Sequence, residues 1–128
     1  MNIVAKAHIN LLVRLARADR EIVPEEDKII HEVAAGYDFD STVLRKIMDY
    51  PEPIESLSAL SESKKFEFLY TSMTLILCDD NVCEREMILY RDIAHKMGFV
   101  IKVADYICAN YSLLSKDQLK QEVFTRFK

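Results

Sequence analysis

The sequence predicts an all-α fold: a compact domain of about seven helices, arranged as two related three-helix halves plus a C-terminal helix. Three observations predict it. The 128 residues include only two Gly and three Pro, few for the many tight turns of a sandwich or barrel. Apolar residues recur three or four positions apart, the spacing of one helix face, and no segment sustains the alternation of a strand. A shift of sixty residues lays one part of this pattern on another.

The first helix is expected over Ile3–Ala18, with Val4, Ala7, Leu11, Leu12, Leu15 and Ala18 as its apolar stripe and Asn2 as its cap. Pro24 suits the first turn of a second helix, whose stripe runs Ile29, Ile30, Val33, Ala34 and for which Gly36 is the stop signal. Asp40 or Ser41 opens a short third helix through Val43, Leu44, Ile47 and Met48, ended by Pro51 and Pro53. The stretch Glu52–Ser63 reads as a loop with room for one helical turn at Ile54–Leu60, and as the one hinge in the chain.

A fourth helix, about Glu62–Asp79, is apolar on more than one side (Phe66, Phe68, Leu69, Tyr70, Met73, Leu75, Ile76, Leu77), which marks the buried central helix. A fifth runs Glu84–Met97 before Gly98, and a sixth passes through Val100, Val103, Ala104, Ile107 and Cys108. The last starts at Ser115, where Ser115 and Gln118 have the spacing of a capping box, and it docks through Leu119, Val123, Phe124 and Phe127.

Half of the residues are hydrophobic and 30% are charged, the balance of one soluble globular domain spanning 1–128. A net charge of −4 with scattered Lys and Arg argues against nucleic acid as a partner. The N-terminus lacks the apolar region of a signal peptide, and the longest apolar run, near Leu75–Cys78, is far short of a bilayer span. A cytoplasmic protein is therefore expected. Cys78, Cys83 and Cys108 are read as small core residues, with Cys83 at a helix start the one to test for reactivity. His8, His31 and His95 are read as surface imidazoles, because Asp92-x-x-His95 alone does not make a di-iron site. No nucleophile elbow or phosphate-binding glycine loop is present, so no catalytic residue is assigned and no enzyme is expected.

Under the sixty-residue shift, Leu15 meets Leu75, Asp19 meets Asp79, Glu26 meets Glu86, Ala34 meets Ala94, Phe39 meets Phe99, Val43 meets Val103 and Ile47 meets Ile107. Matches at polar positions cannot come from apolar periodicity. They predict related halves at about 3–50 and 62–111, packed on each other because neither can bury its own apolar face. The elbow Leu15-Ala-Arg-Ala-Asp19-Arg-Glu21-Ile-Val-Pro-Glu-Glu26, with its echo from Asp79 to Glu86, resembles the TerB-like tellurite-resistance family. The same domain occurs at the N-terminus of a membrane-anchored DnaJ-like co-chaperone. The resemblance covers most of the chain and implies an all-helical domain with two related halves. Two departures stand out: Arg20 and Asp80 replace the Gly that follows each Asp, and Val23 and Cys83 replace the small hydroxyl residue before the next helix.

What the resemblance implies for function leaves two readings open. In the first, the chain is a non-enzymatic module of a cytoplasmic stress-response assembly that holds a divalent cation (Ca, Mg or Mn). Asp19, Glu21 and Glu26 would supply oxygens from one elbow, and Asp79, Asp80, Asn81 and Glu86 from the other. The spacing is not that of an EF-hand, since Ile30 and Tyr90 stand where the bidentate Glu belongs. In the second, the chain is a protein-interaction or co-chaperone docking domain with no metal. Pro24 and Glu26 then serve the helix start, Glu26 and Glu86 fold back on the N-cap N–H, and partner proteins bind an exposed apolar patch.

Overall fold

The computed structural model describes residues 3–18, 22–54, 57–78 and 84–127. Among them run seven helices and no strand: α1 (Ile3–Ala16), α2 (Pro24–Gly36), α3 (Ser41–Asp49), α4 (Glu62–Leu77), α5 (Glu84–Lys96), α6 (Lys102–Asn110) and α7 (Lys116–Arg126). The all-α expectation holds. None of these helices is long and apolar enough to cross a membrane.

Local chemistry sets the helix starts. Asp40 Oδ1 accepts from the N–H groups of Thr42 and Val43 at 2.7 and 3.2 Å, and Ser61 Oγ accepts from the N–H of Lys64 at 3.2 Å. Ser115 and Gln118 form the reciprocal capping box that their spacing predicts, at 3.1 and 3.2 Å.

The stop after α2 differs from expectation. Gly36 is its last helical residue, and the left-handed residue is Asp38, at φ 53°. Asp38 N–H donates to Ala35 O at 3.0 Å and Phe39 N–H to Ala34 O at 3.0 Å, the paired bonds of a Schellman turn. Sixty residues on, Gly98 takes φ 94°, with Gly98 N–H on His95 O at 2.9 Å and Phe99 N–H on Ala94 O at 3.1 Å. One turn is thus built twice, once on Asp and once on Gly. Asp reaches this region more easily than most residues because its short polar side chain bonds locally.

Two helices share the centre. α4 buries Phe66, Phe68, Leu69, Met73, Leu75 and Ile76, as its sequence suggests. α1, expected as a one-sided amphipathic helix, buries nearly every residue from His8 to Ala16 because α2, α3, α4 and α5 all pack on it. α7 closes the other end through Leu119 and Val123. Phe124 lies beside Phe66 and Phe99, and Phe127 beside Tyr106.

The expected hinge is pinned on its N-terminal side. The Asn10 amide donates to Glu52 O at 2.9 Å and accepts from Glu52 N–H at 2.7 Å, and Arg14 Nε donates to the same carbonyl at 2.7 Å. Leu57 is buried in the core. Arg17 Nη1 donates to Met48 O at 2.6 Å, placing a cation at the negative end of α3.

Candidate functional site

Two places are candidates: the acidic elbows of the sequence reading, and a cleft that the sequence did not suggest. Of the elbow residues, Asp19, Glu21, Asp79, Asp80 and Asn81 lie outside the described residues, as does Cys83. Glu26 and Glu86 are described, at the third position of α2 and of α5, and both are buried at 2% exposure. Glu26 Oε1 accepts from Val23 N–H at 3.1 Å. This is half of a capping box, and the other half is missing because Val23 has no hydroxyl. Among the described residues, no three His, Cys, Asp or Glu side chains gather as a metal would require.

The second place is a cleft of about 380 Å³ where α1, α2 and α4 meet, lined by His8, Val33, Gly36, Tyr37, Ser63, Lys64, Glu67 and Thr71. His8 corrects the surface expectation: it is 1% exposed. Its phase could have shown this, since Val4, His8, Leu11, Leu12 and Leu15 share one side of α1. His31 and His95 are exposed.

The imidazole is bonded on both edges, Nδ1 to Tyr37 Oη at 2.8 Å and Nε2 to Thr71 Oγ1 at 2.6 Å, and it stacks on Phe68. A neutral imidazole donates at one nitrogen and accepts at the other, and the two hydroxyls, each able to do either, satisfy both. Burial, helped by the Lys64 ammonium, pushes the His8 pKa down to about 3.

At the cleft mouth Lys64 Nζ sits 5.1 Å from the centre of the Tyr37 ring. Lys116 Nζ pairs with Glu67 Oε2 at 3.1 Å, and Lys120 Nζ donates to Ser63 Oγ at 3.2 Å.

Cys78 and Cys108 are half-buried, and burial pushes the Cys108 thiol up, away from reactivity. The large apolar side chains most exposed among the described residues are Ile3, Tyr50, Ile88, Val100, Ile101 and Leu113, spread over several elements. Compared with family models, with curated proteins and with solved structures, the chain matches none.

Proposed function

We propose that the chain is a non-enzymatic, TerB-like binding module of a cytoplasmic stress-response assembly, made of two related halves, whose acidic elbows hold helices rather than a cation. The observation that carries this reading is the burial of Glu26 and Glu86 at equivalent places, with Glu26 already closing the start of α2 on Val23 N–H. A carboxylate committed to its own helix N-terminus is poorly placed to supply oxygens to an ion outside it.

The chemistry of His8 supports binding over catalysis. A general base works best with a pKa near the operating pH, and an imidazole held at about 3 accepts a proton poorly at neutrality.

The test compares the proteins recovered with the wild-type chain and with the double variant Asp19→Asn/Asp79→Asn, both in the presence of a chelator. The same set of partners is expected from both. Loss of the partners from the double variant alone would mean that the elbow charges take part in binding.

A further inference from the structure

Two local features recur sixty positions apart, the Schellman turns at Asp38 and Gly98 and the buried Glu26 and Glu86, so residues can be compared at that spacing. The cleft breaks that match. His8, Tyr37 and Thr71 correspond to Phe68, Met97 and Leu11, all apolar and all at most 1% exposed. Ser63, Lys64 and Glu67 correspond to Ile3, Val4 and Ala7, and Gly36, whose absent side chain leaves open space, corresponds to Lys96. Apolar side chains are thus buried at the three positions matching His8, Tyr37 and Thr71, so burial there does not by itself call for polar groups. A buried hydroxyl or imidazole costs free energy unless every bond is made, whereas the apolar alternative does not.

The charges at the mouth define what fits. Lys64 lines the cleft, Lys120 touches Ser63, and Lys116 neutralises Glu67. One ammonium group thus lines the cleft and two more bond its lining residues, against one lining carboxylate, on a chain of net charge −4. Ser63 Oγ accepts from Lys120, which leaves its own proton to donate. Val33 and the open side of Gly36 supply an apolar wall, and the volume of about 380 Å³ lies at the small end of ligand pockets.

We propose that this cleft binds a small organic carboxylate, its oxygens at the Lys64 ammonium and the Ser63 hydroxyl and its apolar body against Val33 and Gly36. The carboxylate is either that of a free acid or the C-terminus of a peptide chain. The proposal does not depend on what the elbows do, so either can fail alone.

The experiment is an amide NMR titration of the full chain with four probes: benzoate, benzamide, acetyl-Ala-Phe with a free C-terminal carboxylate, and its C-terminal amide. At least one carboxylate is expected to shift the Gly36 and Lys64 amide signals saturably at concentrations up to about 10 mM, while the neutral amides do not. Saturation by benzoate alone assigns a free acid, and by the peptide acid alone a chain terminus. Lys64→Gln is expected to weaken binding roughly tenfold. Gly36→Leu, which fills open space without removing a polar group, should abolish it with the rest of the spectrum intact. Equal binding of acids and amides, no saturable shift with either acid, or undiminished binding to Gly36→Leu would overturn the proposal.

Discussion

The His8 imidazole stacks on the Phe68 ring, 4.2 Å between centroids and 20° between planes, so two residues sixty positions apart lie against each other. The contact sits between the two most buried helices, α1 and α4. It makes His8 a core residue whose ionisation is coupled to folding.

That coupling has a definite sign. The folded pKa, about 3, lies below the ordinary value of 6.5, so between these limits the unfolded chain binds a proton that the folded chain refuses. The stability His8 contributes is complete above pH 6.5 and is lost as pH falls toward 3, by about 1.4 kcal/mol per pH unit. His8→Phe, which copies Phe68, is expected to fold at neutral pH and to lose this part of the acid sensitivity. Urea denaturation of both chains at a series of pH values would measure it; identical pH slopes would contradict the buried neutral imidazole.

The twin turns after α2 and α5 give a second expectation. Asp38 holds φ 53° at a position where its equivalent is Gly98 at φ 94°. Asp38→Gly should gain or lose little, because relief of left-handed strain is offset by greater freedom in the unfolded chain. Gly98→Ala should lose about 1 kcal/mol even though its Cβ meets nothing within 4 Å, since the strain is in the backbone. Thermal melting of the two variants separates these effects.

Glu26 can be tested as a helix lock. Glu26→Ala removes the acceptor for Val23 N–H and is expected to cost about 1 kcal/mol, whereas Glu26→Gln keeps an acceptor and most of the stability. Chemical denaturation should rank wild type, Gln and Ala in that order. If Ala matched wild type, the buried carboxylate would have no capping role.

The helices were legible because each carries its own punctuation: Pro24 opening α2, Asp40 opening α3, Ser115 with Gln118 opening α7. The return of Glu26 against Val23 N–H was legible for the same reason, as both groups lie within one turn. Contacts between distant parts of the chain were not. Asn10 reads as an ordinary polar residue of a helix until Glu52 arrives from forty-two positions away to take both ends of its amide. His8 likewise looks like a surface imidazole until Tyr37 and Thr71, on two other helices, satisfy its nitrogens. Glycine favours the left-handed turn and so marks Gly36 as the stop, but the chain makes that turn two residues later, at Asp38.

The most direct measurement of the central claim, that the elbows hold helices and not a cation, is thermal unfolding with added Ca, Mg or Mn. It is run on the wild-type chain and on Asp19→Asn/Asp79→Asn. The account expects the midpoint of the wild-type chain to stay unchanged up to about 1 mM of each metal. A rise of several degrees with one metal, absent from the double variant, would contradict it.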